Sequence, residues 1–507
     1  MTTSSSRRDI LTSSIALAAG AALPSLGSVS SAMADSSSPT AAEIVAAIRD
    51  KKMTAVSAVR AALERAEQLK DLNAFIILNK DGALAAAGRV DAGEKTGALA
   101  GLPIVVKDNI NTADMPTSGG TPALQNARPA KNAPSLQKLL DAGAIVIGKT
   151  NMHELAFGIT STNLSSFAGP VKNPYDKTRI PGGSSGGTSA AIAARIVACG
   201  LGSDTGGSTR VPAALTGIVG LRPSVGNGGA QRRYNDANMV VPISHTRDTV
   251  GPMGRTVVDV ALLDSVITGT PMANAEPLRA KRLGIPAALW SGLDRDVEAV
   301  AKAARGKLAD AGVVLVDADI AGLFEQNGKV SFPVALHEPI DDIPAYLKAS
   351  GIEGITPTSL ARSRAPTSRA RSAPSLEMPS ARRTRTRSRY SGRRCRRSTR
   401  PISATTIWMA SCFQPRLAPA PVIDAEKGSG EISINGDKPV PTFDTIIRNT
   451  DPGSNAGIPG LSLYAGMTPD GLPVGLEIDG PVGSDAKLLG LGLSIEGILG
   501  SAPPPKV

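Results

Sequence analysis

A chain of 507 residues with 41% apolar and 20% charged residues can bury a large core, as one large α/β domain or two smaller ones, which excludes disorder throughout. Its net charge of +11 points toward nucleic acid only until the charge is located. Between Ala361 and Arg416 stand fifteen arginines, no lysine and a single acid, Glu377, so this block carries +14 and the rest of the chain −3. The bulk is mildly acidic, and no nucleic-acid partner is expected of it.

At the N-terminus, Ser6-Arg7-Arg8-Asp9-Ile10-Leu11 leads into a short apolar run and then Ala32-Met33-Ala34. The pattern resembles a twin-arginine export signal with an A-x-A cleavage site. Residues 1–34 are read as that signal, with Asp35 opening the mature protein, no membrane anchor after cleavage, and a periplasmic or secreted destination. The Ser, Gly and Pro content and the shortness of the apolar core argue against a membrane helix. From Thr40 to about Lys70, apolar residues recur at near-helical spacing, which predicts a helix. GLPIVVKDNI (101–110) reads as a short buried strand ending on Lys107. Next come a helix-like SLQKLLDAG and a strand-like AIVIG, and this alternation predicts a sheet with helices on its faces.

The stretch PGGSSGGTSA (181–190) enters an alanine-rich helix read as Ser189 to Ala198, and GSDTGGSTR (202–210) follows as a second glycine-rich turn. A linker is not usually followed by a core helix and another such turn. The block 361–416 has no apolar period of 2 or 3.6. It can be read as a basic arm for nucleic acid or an acidic surface, as a solvated loop, or as translation in a shifted frame. The abrupt onset and end and the loss of lysine favour the last. Cys395 and Cys412 lie inside the block and Cys199 outside it, so no disulfide framework exists.

GGSSGG fits the G-x-S-x-G nucleophile elbow at Ser184 and at Ser185, but that elbow must follow a buried strand. The preceding VKNPYDKTRIP is polar with two prolines, so the context fails. No pattern marks His153, His245 or His337 as a triad base. A serine still needs a proton acceptor. Lysine serves when desolvation makes it neutral, and Lys107 at the end of a buried strand is placed for that.

Lys107 in VVKDNI, GGSSGG (182–187) and GSDTGGSTRVPAALTGIVGLRPS together resemble the amidase signature family of serine hydrolases. The resemblance runs from about Thr40 to Ile267 and again from about Phe443 to Leu499. It implies an α/β fold: a single large domain over 35–507 whose mixed central sheet is covered by helices on both faces. It also implies a Ser-Ser-Lys triad, with Ser208 the acylating nucleophile, Ser184 the bridging serine after a cis peptide bond, and Lys107 the general base. Thr205, Gly206 and Gly207 correspond to the oxyanion hole, whose donors stabilise the tetrahedral intermediate. No cofactor and no metal are implied.

Neighbouring residues get plainer readings. Ser185 and Thr188 are either triad contacts or turn and cap residues. Asp204 and Arg210 pair behind the nucleophile or form a structural salt bridge. Lys149 reads as a strand-end surface lysine, and His153 and His245 as packing or hydrogen-bonding residues, with no metal-ligand cluster. NMHELAFGITSTN and VVPISHTRDTVGPMGRTVVDVALLD are most similar to the mandelamide and indoleacetamide hydrolase branch. That similarity implies a small arylalkyl amide as substrate, hydrolysed to acid and ammonia. A peptide amidase or aryl acylamidase is the alternative within the family. A non-catalytic or basic-arm binding protein is the alternative of another class, should the 361–416 block be genuine or disrupt the site. Oligomeric state is not fixed by the sequence.

Overall fold

The computed structural model describes residues 38–356, 360, 407–408 and 418–507. The expected export signal lies outside the described residues, as does the arginine-rich block apart from residues 407–408. The described residues all belong to one compact unit, Ser36–Val507.

The chain opens with α1 (Ala41–Arg49) and α2 (Ala55–Gln68), where the periodicity had predicted one helix. The run breaks because Lys51 turns left-handed, with φ 58°. Thr54 then starts a new helix by accepting a hydrogen bond from the Ser57 N–H at 3.0 Å. β1 (Phe75–Leu78), α3 (Lys80–Asp91), β2 (Pro103–Lys107), α4 (Pro134–Asp141) and β3 (Ile145–Thr150) follow. α5 (Gly186–Ala193), β4 (Cys199–Asp204), α6 (Arg210–Thr216), β5 (Val219–Arg222), β6 (Thr249–Gly254) and α7 (Val257–Thr268) complete the part that carries both glycine-serine turns. Beyond it come β7 (Arg282–Pro286), α8 (Arg295–Asp310), β8 (Val314–Ala318), α9 (Leu323–Gly328), α10 (Ser331–His337) and α11 (Pro339–Ala349). Last are β9 (Ile407–Trp408), β10 (Glu431–Ile432), β11 (Val440–Pro441), α12 (Thr442–Ile447), α13 (Asp451–Ala456), β12 (Gly460–Met467), β13 (Pro473–Asp479) and α14 (Asp485–Leu499).

Eleven strands form one mixed sheet in the order β1-β3-β2-β4-β6-β5-β12-β13-β9-β7-β8. β2 pairs in parallel with both β3 and β4, whereas β4, β6, β5, β12 and β13 pair antiparallel in turn. Ile407–Trp408, inside the arginine-rich block, form a strand that bridges β13 and β7. No apolar period predicts a strand there.

Successive side chains of a strand point to opposite faces, and β2 shows that both faces are dry. Ile104 and Val106 pack into a core shared with α1, α4 and α7. Val105 packs into a second core built from α2, α3 and α5. A third, with α8 and α14, backs β12 and β13. This is the mixed, doubly covered sheet that the resemblance implied. The alternation also decides where Lys107 goes, since it shares the parity of Val105 and so faces α5.

α5 starts three residues earlier than the alanine pattern indicated, inside the glycines, and ends at Ala193 rather than Ala198. Arg195 adopts φ 61° and closes the helix, the Ile196 N–H returning to the Ala191 carbonyl at 3.0 Å. The early start requires glycine. A Cβ on Gly187 would stand 2.3 Å from the Asn151 carbonyl oxygen and 2.4 Å from that of Ala74. Gly187→Ala is therefore expected to destabilise the protein by about 1–3 kcal/mol, read as a lower urea midpoint. An unchanged midpoint would contradict this packing.

Candidate active site

Three segments meet at one end of the sheet. β2 delivers Lys107, the turn before α5 carries Ser184 and Ser185, and the turn between β4 and α6 carries Thr205 to Thr209. Lys107 is fully buried. Its Nζ lies 2.7 Å from Ser184 Oγ, 2.9 Å from Ser203 Oγ and 3.4 Å from the Ser203 carbonyl. Burial pushes its pKa down to about 7, against the opposing pull of the Asp204 and Asp248 charges. A neutral amine has two N–H donors and one lone pair. Ser203 can take the donors, leaving the lone pair facing the Ser184 hydroxyl.

The Gly183–Ser184 peptide bond is cis, as the resemblance implied. Ser184 and Ser208 are held as neighbours through the backbone, the Ser185 N–H donating to the Ser208 carbonyl at 3.2 Å. Among the described residues no hydrogen bond joins the two hydroxyls directly. Ser208, 5% exposed, lines an apolar cleft with Thr205 and Gly206. Gly207 does not share in that lining. Its N–H donates to Asp204 Oδ1 at 2.9 Å, which removes it from the three donors that the resemblance implied. Gly207 must nevertheless be glycine. It adopts φ 140°, and a Cβ there would stand 2.2 Å from Thr450 Oγ1.

Asp204 organises this turn. It accepts hydrogen bonds from the N–H groups of Gly207 and Thr209, from the Thr209 hydroxyl, and from Arg210 and Arg222. Burial alone would raise its pKa, but the two guanidiniums hold the carboxyl well below its ordinary value. Arg210 is itself fully buried and also donates to Glu477, Ser454 Oγ and the Thr450 carbonyl. The Asp204–Arg210 pair is thus a buried salt bridge behind Ser208.

Ser185 Oγ donates to the Ser203 carbonyl at 3.2 Å and so steadies the partner of Lys107. Thr188 meets Thr150 at 2.6 Å, packing α5 on β3. Lys149 is not at the surface. It is fully buried, 3.4 Å from Asp108, and donates to the carbonyls of Ile110 and Pro116 and the hydroxyls of Thr112 and Thr117. His153 is buried, its Nδ1 3.3 Å from Thr160 Oγ1. His245 is 62% exposed and pairs with Asp342 at 2.8 Å. This hydrogen bond raises its pKa.

The sequence reading missed several residues. Ser203 and Asn109, whose Nδ2 donates to Ser203 Oγ at 2.9 Å, were in view inside GSDTGGS and VVKDNI but carried no label. Asp248, which accepts from the Thr205 hydroxyl at 2.6 Å, had no local signal. The sequence also showed no metal-ligand cluster, yet the fold gathers His245, Glu338 and Asp342 with donor atoms within 4.8 Å of one another. Glu338 and Asp342 lie one helical turn apart, a spacing that only a histidine from the facing loop turns into a set. Their atoms are engaged in hydrogen bonds among themselves and with Ser244 and Thr246.

Arg210→Met strands Asp204 and Glu477 with one cation fewer and is expected to cost about 3–5 kcal/mol of stability. Lys80→Met at the exposed pair with Glu67 should leave the urea midpoint unchanged. Equal midpoints for the two variants would show that the buried network holds nothing together.

The sequence profile of the family described as Amidase matches residues 57–489. The chain is 37% identical over 489 residues to mandelamide hydrolase of Pseudomonas putida, covering 92% of each chain. It is also 37% identical over 468 residues to indoleacetamide hydrolase of Rhizobium radiobacter, covering 89% of this chain and 95% of that one. Among solved structures, the peptide amidase of Stenotrophomonas maltophilia superposes with a TM-score of 0.73 at 26% identity, covering 92% of this chain and 98% of that one.

Proposed function

The chain belongs to the amidase family, and from that premise we propose that it hydrolyses small arylalkyl carboxamides through an acyl-enzyme on Ser208. The observation that carries this reading is the 2.7 Å contact between the buried Lys107 amine and Ser184. Ser208 Oγ attacks the carbonyl carbon and passes its proton to Ser184, whose own proton moves to the neutral Lys107. The developing oxyanion is met by the N–H groups of Thr205 and Gly206. As the C–N bond breaks, the proton returns through Ser184 to the leaving nitrogen, and ammonia departs. Water then attacks the ester carbonyl, giving up a proton along the same route, and the acid leaves with Ser208 regenerated.

The cleft supports a small acyl group. Its wall is formed by Phe157, Ile159, Ile243, Phe332, Leu336 and Phe443, and the cleft, of about 60 Å³, is open to solvent. Phe332, 42% exposed, stacks at a tilt on Phe443 at 5.6 Å and offers an aryl group a ring to pack against. An apolar wall of this kind suits an aryl acyl group better than a polar peptide backbone.

Ammonia release from phenylacetamide, mandelamide and indoleacetamide is expected with the mature protein and is expected to vanish in Ser208→Ala. Full activity in that variant would overturn the assignment. Lys107 must be deprotonated to accept a proton, so kcat/KM should rise as pH increases through about 7 and level off above it. A rate independent of pH from 6 to 8 would point to another base.

We further propose that residues 1–34 direct export. A fusion of these residues to a reporter should reach the periplasm. Arg7→Lys together with Arg8→Lys should retain it in the cytoplasm, and export unaffected by the pair would refute the signal.

A further inference from the structure

Asp451 opens α13 and is 2% exposed, yet it lines the cleft beside Ser208. Its Oδ2 is tied down, accepting from Asn327 Nδ2 at 2.7 Å and from Asn455 Nδ2 at 3.0 Å. Its Oδ1 accepts no hydrogen bond from the described residues. Arg247 Nη1 stands 3.8 Å from it, too far for one, and donates to Asn455 Oδ1 at 2.8 Å instead. A buried carboxylate oxygen is rarely left without a donor; here the ion pair with Arg247 supplies opposite charge but no hydrogen bond.

The position of that oxygen narrows what it can meet. A Cβ on Gly206 would stand 3.1 Å from Asp451 Oδ1 and 2.8 Å from Ile447 Cδ1. The oxygen therefore faces the nucleophile turn from within the apolar wall that Ile447 continues. Arg247, which lines the same cleft 3.8 Å away, balances the charge of this oxygen, and the oxyanion is met instead by the backbone N–H groups of the turn. The leaving nitrogen must face Ser184 to receive its proton, and neither Ser184 nor Lys107 lines this cleft. What remains for this wall is the acyl part of the substrate.

We infer that Asp451 Oδ1 accepts a hydrogen bond from an O–H or N–H on the acyl part, so that the enzyme selects aryl carboxamides bearing such a donor over those without one. The inference rests on the acyl-enzyme reading above and adds a specificity residue to it. A site built around a hydrogen bond rejects an analogue that lacks the partner, because the buried group is then left unpaired.

The test compares mandelamide with 2-fluoro-2-phenylacetamide, which replaces the hydroxyl by an atom of similar size with no proton to give. Wild-type kcat/KM is expected to favour mandelamide by about tenfold or more, mainly through KM. In Asp451→Ala that ratio is expected to fall toward one. A wild-type ratio near one overturns the inference, as does a ratio unchanged in the variant while both rates drop together. Should Asp451→Ala fail to fold, the two substrates on the wild-type enzyme still decide. Equilibrium binding of both amides to Ser208→Ala protein reads the same preference without turnover. If wild-type enzyme releases no ammonia, the acyl-enzyme reading fails, while the binding ratio still judges Asp451.

Discussion

Everything at this site depends on keeping one amine out of water. Lys107 ends a strand whose two faces are both covered, and its parity turns it toward α5. Water is excluded on every side. The cost of burying an ammonium is what drives the group toward neutrality, and Ser203 and Ser184 give the resulting amine partners suited to that form. An exposed lysine in the same place would stay charged and useless as a base. The doubly covered sheet is therefore a chemical requirement as well as an architectural one.

A second buried lysine on the neighbouring strand shows that burial alone does not decide the outcome. Burial pushes the pKa of Lys149 down, as with Lys107, but Asp108 stands 3.4 Å away and opposes it. Carbonyls and hydroxyls of residues 110–117 surround its amine, so it holds together the loop that follows β2. The two lysines divide the work: one faces serines and can move a proton, the other faces acceptors and fixes a loop. Behind the nucleophile, Asp204 does for the glycine turn what Asp108 does for that loop.

The parts legible in the sequence were those whose signal is local. The apolar run before Lys107, the helix-strand alternation over 134–150 and the paired glycine-serine turns each announced their element, and together they announced the family. The break between α1 and α2 was not legible, because Val56 and Val59 keep the helical spacing across a turn set by Lys51 and Thr54. Nor was the start of α5, since glycines disfavour helix and only close approach to the Asn151 and Ala74 carbonyls explains them. Lys149 read as a surface residue because its acidic partner sits on another strand's loop. Arg247 and Asp451 carried no signal at all, their contacts spanning some two hundred residues.

Arg210 adds a dimension of time to this arrangement. Its first anion, Asp204, stands six residues before it, but its second, Glu477, comes 267 residues later, at the far end of the chain. On a ribosome, the nucleophile turn is made long before the strand that completes its charge balance. A nascent chain stopping short of β13 would hold Lys107, Ser184 and Ser208 and still carry an arginine without its socket. Such long-range closure makes assembly slow. Closure of this network then waits for the last strands of the sheet, and proteolysis at the C-terminus would open it while leaving Lys107, Ser184 and Ser208 untouched.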